Sequence, residues 1–389
     1  MSVLPPKSCV EFVASREHVV AILELLETRM LWSTAKPIIS AASIHTSRGW
    51  QETIAHARKD SYSDAIWESA FKTLSTVAEQ HTYVGNKHVS FFDLREQNEA
   101  VKTQVLEWAF SRATHDLQPM VSKRPFDILD TPTRKADLEQ YKTSMPKLLA
   151  AELRGDKLYL QFFSTRAYSM REPLDLTKMS AAQIKLFEEY EEVIGVKTRL
   201  VPCFDTVVVD AINDLVELRV DFQPGMTEDK NTPAFVRVMN EFNRATTKFL
   251  GQSAVGVGLM NLHPAINPMY LDTACGRVTA LGFVATSKDS SSNNHGQIHR
   301  TKTQDFRKDS FHVGGKQHVD KVDPYTIGIT WPGKPPKGDL YLELKGSVRA
   351  IYSGKLRAVT TAEFMGCLDG EDYDFIADQV LRRLPRRKK

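Results

Sequence analysis

DTVVVDAINDLVELRV, residues 205–220, holds two strand-forming runs around a short polar break. Asp205–Asp210 and Leu215–Val220 are rich in β-branched residues, and Ala211-Ile212-Asn213-Asp214 between them carries the Asn-Asp signal of a hairpin. The carboxylates Asp205, Asp210, Asp214 and Glu217 read as solvated charges at the hairpin's ends. Working outward, Lys157–Phe163 predicts a strand, Ser180–Ile194 a helix and Thr232–Leu250 another. Beyond Gly251 the pattern is mainly of strands, at 254–259, 277–285, 325–331, 340–344, 348–352 and 356–359. A last helix is expected over 371–384.

Upstream the chain is mainly helical. Ser15 caps a helix from Arg16 to Met30, whose Val19, Val20, Ile22, Leu23, Leu25 and Leu26 form a broad apolar face. Helices follow at 63–79 and 95–112, with a strand over His88–Leu94 between them. Pro119, Pro125 and Pro132 mark a loop, and one further helix is expected at 134–153. The sum is an α+β protein: a mainly helical domain over 1–153, then an α+β domain over 154–389 with a mostly antiparallel sheet. No internal repeat is visible.

The 389 residues are 42% apolar and 25% charged, an ordinary globular balance. No apolar window reaches the ~18 residues of a membrane helix, and the N-terminus lacks a signal-peptide layout. A cytoplasmic protein with no membrane partner is therefore expected. Cys9, Cys203, Cys275 and Cys367 are scattered and read as buried thiols. The net charge of +3 is uneven. Arg382, Arg383, Arg386, Arg387, Lys388 and Lys389 form a basic tail on a slightly acidic body. The stretch from about 287 to 338 is polar and contributes Arg300, Lys302, Arg307, Lys308, Lys316 and Lys321, interleaved with Phe306, Phe311 and Tyr325. Cations neutralise phosphates and aromatic rings stack on bases. The leading expectation is a nucleic-acid-binding protein that tolerates many sequences, using those six cations and the six of the tail.

Asp323 with Glu343-Leu344-Lys345 resembles the signature of the PD-(D/E)xK nuclease superfamily. The resemblance covers about 25 residues and implies two carboxylates holding Mg²⁺, with Lys345 polarising the nucleophile. Alternation along a strand puts Glu343 and Lys345 on one face. The sequence departs from the pattern in its Asp323-Pro324 order and in the Gly346 that follows the triplet. An exposed antiparallel face produces the same alternating charges. His295, His299, His312 and His318 have some of the spacing of metal ligands but sit among poor helix formers, so no metal site is assigned. Glycine motifs for dinucleotides or nucleoside triphosphates are missing. Two alternatives therefore stay open beside nucleic-acid binding: a Mg²⁺-dependent nuclease using Asp323, Glu343 and Lys345, and an interaction or scaffold protein that oligomerises through its N-terminal helices.

Overall fold

The computed structural model describes residues 14–111, 117–120, 135–142, 145–174, 179–223, 231–287, 296–301, 304–334, 337–348 and 358–385. Its centre is one ten-stranded sheet. The strands are β1 (Lys87–Asp93), β2 (Lys147–Arg154), β3 (Lys157–Pro173), β4 (Ile194–Asp210), β5 (Leu215–Asp221), β6 (Arg277–Ser287), β7 (Gly296–Arg300), β8 (Val319–Trp331), β9 (Leu340–Leu344) and β10 (Ala362–Met365). They run in the order β2-β3-β4-β5-β1-β10-β9-β8-β6-β7, and every pairing among the described residues is antiparallel. The α+β class is as the sequence predicts. The hairpin of 205–220 forms β4 and β5 and turns through Asp214 at φ 53°.

Helices cover one face of the sheet along its length. At the β2–β4 end these are α1 (Arg16–Arg29), α2 (Trp32–Ala41), α3 (Trp50–Lys59) and α4 (Asp64–Val84), whose apolar stripes close on Leu149, Phe163 and Phe204. In α4 the stripe is Trp67, Ala70, Leu74, Ala78 and His81, at helical spacing. Gly85 follows α4, at a position where a Cβ would collide with the His81 ring. The apolar stripes of α1 and α4 are thus buried within the chain. Further along, α9 (Ile266–Leu271) and α11 (Gly370–Leu381) cover Val89, Phe91, Ile327, Leu342 and Phe364. On the opposite face, α5 (Glu99–Phe110) and α8 (Asn231–Leu250) cover Phe162, Val207, Leu218, Val220 and Phe92. Ala234, Val238 and Phe242 recur every four residues along the buried side of α8. The remaining helices are the short α6 (Lys135–Gln140), α7 (Ala181–Lys185) and α10 (Ser310–Lys316).

Several expected elements differ. A break at 153/154 would cut the β2–β3 hairpin, and β1, from the helical part, lies at the middle of the sheet. The helix expected at 134–153 is only α6, because Leu148–Arg154 pairs with β3. The helix expected at 180–194 stops at Lys185. Leu186 and Tyr190 have no surface to cover and stay exposed, and Ile194 opens β4. Residues 254–259 make only an isolated bridge, Phe92 to Leu259. Most of 348–359 lies outside the described residues, while β7, β10, α2, α3, α9 and α10 are additions. Cys203, Cys275 and Cys367 are buried free thiols, and burial pushes Cys203 up to about 12.

The sheet and the N-terminal helices are joined by buried charge. Arg29 at the end of α1 donates to both carboxylate oxygens of Asp221, at 2.7 and 3.0 Å. Lys87 donates to Asp221 at 3.0 Å and to the Thr82 and Phe204 carbonyls at 2.7 and 2.5 Å. From the other side of the sheet, Asp205 accepts the Asp221 backbone N–H at 2.8 Å, and Arg166 bonds both Asp205 and the Asp221 carbonyl. Burial alone would raise the Asp221 carboxyl, but Arg29 and Lys87 outweigh it and hold it well below its usual range. Burial, offset in part by Asp221, brings Lys87 down to about 8. Burial and the Arg29 charge keep His81 neutral.

Removing one partner of a buried pair costs about 3–5 kcal/mol because the other charge stays behind. Asp221→Asn should lose that much in urea unfolding. Lys87→Met should lose less, since the cluster has three cations against two carboxylates. Folded Lys87 releases its proton near pH 8, whereas an unfolded lysine keeps it to about 10.4. The unfolded chain binds more protons in that window, so the stability of wild type relative to Lys87→Met should rise from about pH 8 to about 10.4. His81 works at the other end. The unfolded chain takes up the proton that folded His81 refuses, so stability should fall by up to ~1.4 kcal/mol per pH unit below the ordinary histidine range. His81→Gln should flatten that slope in urea titrations at a series of pH values.

Candidate functional site

Asp305 and Arg307 build the first region. Asp305 caps a 3-10 turn, Phe306–Lys308, and its carboxylate accepts from the Arg307 backbone N–H at 3.1 Å, from Nε at 2.9 Å and from Nη2 at 2.8 Å. The same Asp-x-Arg turn occurs at Asp93-Leu94-Arg95, with bonds of 2.9, 2.8 and 3.0 Å, and leads into α5. A short recurrence therefore exists where the sequence shows no repeat. Arg307 also donates to the carbonyls of Asp272 and Gly276, both at 2.5 Å, and its side chain is 6% exposed. Arg383, beyond α11, bonds the Asp272 carboxylate and Gln379. Both arginines are fastened inside the fold.

Asp272 is the point where the polar segment and the C-terminal helix meet. Around that corner Lys308 is exposed, as is Lys316, whose Nζ lies 5.0 Å from the centre of the Tyr270 ring. Arg382 is half exposed beside Asp378. Lys321 reaches Asp323 at 3.6 Å and is 68% exposed. Phe311 on α10 is 79% exposed, while His312 beside it is buried against Tyr270, Phe283 and Phe306, its Nε2 2.8 Å from the Tyr270 hydroxyl. His312 is thus an aromatic core residue. His295, Lys302, Arg386, Arg387, Lys388 and Lys389 lie outside the described residues. His299 lies on β7, and exposed His318 lies in the turn after α10.

The second region is the part of the sheet face that α8 leaves uncovered among the described residues. Registers place Arg300, Ala280, Gly328, Glu343, Glu363, His88 and Val220 directly opposite one another in one row across seven strands. Ala280 and Gly328 are small, so Arg300 reaches over them to Glu343 at 2.6 Å. The Tyr341 hydroxyl donates to Glu343 at 2.8 Å. Burial, then the Glu343 charge, keeps that hydroxyl protonated far above its usual range. Next along the row Glu363 bonds Lys345, and His88 Nε2 stands 3.6 Å from it. A cleft of about 520 Å³ opens above this floor. Its far wall is Phe235 and Val236 of α8 with Leu259, and residues 358–361 close one side.

The structure brings Glu343 and Lys345 to this cleft but not Asp323. On β8 the partner of Glu343 is Gly328, and Asp323, five residues earlier, lies roughly 16 Å away at ~3.3 Å per residue. Among the described residues no three carboxylates, histidines or cysteines group as a metal site. The residues present therefore do not fit the nuclease's Mg²⁺. Glu363 and His88 were missed by sequence reading. Their signal is a register across strands, and β10 itself was not expected. No protein family model and no curated protein matches the chain. No helix among the described residues is long and apolar enough to cross a membrane.

A Cβ at Gly328 would stand 2.5 Å from the Tyr341 hydroxyl and 2.7 Å from the Ala280 Cβ. Gly328→Val should therefore cost about 1–3 kcal/mol, the usual result of overpacking, and displace Tyr341 and Arg300 from Glu343. Chemical denaturation and a tyrosine hydroxyl titration that drops toward the ordinary range would report the two effects.

Proposed function

We propose that the protein binds nucleic acid through phosphate-backbone contacts at the corner built on Asp272. The observation that carries this reading is that Arg307 and Arg383 both fasten to Asp272. That shared anchor brings the start of the basic C-terminal tail beside the basic segment, although the two are remote in sequence. The contacting groups are Lys308, Lys316 and Arg382; Arg300 is already held by Glu343, and Lys321 pairs with Thr286 at the other end of β6, away from the corner. Tail residues 386–389 extend the same charge. Phe311 offers an exposed ring on which an unpaired base stacks. Arg307 and Arg383 act indirectly, by holding the corner together.

Such a site reads phosphate rather than sequence, so affinity should fall steeply with salt. In fluorescence anisotropy with labelled single-stranded and duplex oligonucleotides, Lys308→Ala with Lys316→Ala should weaken binding. Each lost contact should reduce the salt slope by about one. Phe311→Ala should weaken single-stranded binding by about 1–3 kcal/mol and leave the duplex nearly unaffected. Mg²⁺ should leave both the affinity and the recovered strands unchanged. Mg²⁺-dependent cutting would move the chemistry to a nuclease site. No binding at low salt would leave the protein-interaction reading.

A further inference from the structure

We infer that Ser61 is a phosphorylation site, the acceptor for a protein kinase that reads an arginine three residues before the serine. The site is distinct from the Asp272 corner and does not depend on it.

The pentapeptide Arg-Lys-Asp-Ser-aromatic occurs twice, as Arg58-Lys59-Asp60-Ser61-Tyr62 and as Arg307-Lys308-Asp309-Ser310-Phe311. Kinases that select such segments recognise charge, with an acidic cleft taking the basic residues before the acceptor. The acceptor segment must also lie extended across the catalytic site. Both copies carry the charge. The fold leaves only the first with an open arginine and an extended backbone.

Arg307 is held by Asp305 and by the carbonyls of Asp272 and Gly276, and its side chain is 6% exposed. Ser310 opens α10, and the Asp309 carboxylate holds the N–H groups of Phe311 and His312 at 3.0 and 3.1 Å. That serine therefore sits in a helical turn behind a buried arginine. Two other Arg-x-x-Ser or Arg-x-x-Thr pairs among the described residues are closed as well. Arg166, before Ser169, is buried on Asp205. Thr247, after Arg244, lies inside α8 with its hydroxyl on the Asn243 carbonyl at 2.6 Å.

The first copy is built the other way. Helix α3 ends at Lys59 and α4 begins at Asp64, so Ser61 lies in the short connection between them. Asp60 and Ser63 on either side have extended backbone, at φ −67°, ψ 144° and φ −66°, ψ 155°. Ser61 and Lys59 are exposed, and the Arg58 side chain is 59% exposed. Arg58 pairs with Glu24, which is itself 47% exposed. An ion pair that open is worth little, so an acidic cleft can take the arginine from it. Among the described residues the Ser61 hydroxyl and backbone N–H make no hydrogen bond.

In the transfer the Ser61 Oγ attacks the γ-phosphorus of ATP. The Oγ–P bond forms as the bond from phosphorus to the ADP oxygen breaks. The hydroxyl proton passes to the kinase's catalytic aspartate and ADP leaves. The product adds a charge of about −1.5 to −2 two residues before the N-cap of α4, the end of a helix that favours anions.

The test incubates the full folded chain with radiolabelled ATP and a serine kinase of this arginine-directed class, and maps the product by tandem mass spectrometry. Phosphate should accumulate at Ser61, with Ser310 at least tenfold lower. Ser61→Ala should abolish the main product and Ser63→Ala should leave it unchanged. Arg58→Ala should slow incorporation at least tenfold with no change in melting temperature. Absence of incorporation overturns the proposal. So does phosphate at Ser310 in amounts that match Ser61, or a rate that Arg58→Ala leaves unchanged.

Discussion

Asp221 is the residue on which the rest of the sheet depends. Its carboxylate takes Arg29 and Lys87 from the helix-covered face, while its backbone takes Asp205 and Arg166 from the opposite one. These residues come from α1, β1, β3, β4 and β5, so one cluster crosses the sheet and fixes the alignment of four strands. A buried ion pair adds little net stability over apolar packing. What it adds here is discrimination among registers. Slipping β1 by one residue would carry Lys87 to the other face and leave Asp221 with less than its full set of partners. Apolar β-branched strands such as Val207-Val208-Val209 tolerate slippage far better than a strand whose one lysine has a single acceptable position.

Of those strands β1 also carries one end of the row from Arg300 to His88, whose other members are set by their own pairings. Six strands must align for two carboxylates, an arginine and a histidine to share a rung. Small residues at Ala280 and Gly328 then let the Arg300 side chain span two strands. Helix coverage decides the rest. Among the described residues one face is roofed along its length, whereas α5 and α8 roof only part of the other, and the cleft lies beside α8 over polar residues.

The sequence made the β4–β5 hairpin legible because β-branched runs and an Asn-Asp turn are local signals. It made α1, α4 and α8 legible because their apolar residues recur at helical spacing. It misled where the deciding partner is remote. Leu148–Leu153 has apolar content that suits either state, and pairing with β3 settles it as a strand. Asp205 and Glu217 look like solvated hairpin charges. Both are buried, because each finds an arginine, Arg166 and Arg219, that only the folded sheet supplies. Alternating charge on a strand marks solvent only when nothing covers that face, and here Tyr373 of α11 covers Glu217 with a hydrogen bond of 3.0 Å.

The same distinction governs the basic residues. A charge count weights Arg307 and Lys308 equally, yet the fold uses the first and leaves the second in solvent. The local sequence holds part of the reason. An aspartate two positions before an arginine, as in Asp93-Leu94-Arg95 and Asp305-Phe306-Arg307, closes a turn on itself and takes that arginine's charge. A lysine one position later has no such partner in the turn. Guanidinium forks suit this internal role because they bond carboxylates and carbonyls together, as Arg307, Arg383 and Arg29 all do. Flexible lysines at 308, 316 and 321 remain outside. In this chain Arg29, Arg307 and Arg383 organise the fold, and the surface we propose for a polyanion is set mainly by where such arginines place the lysines.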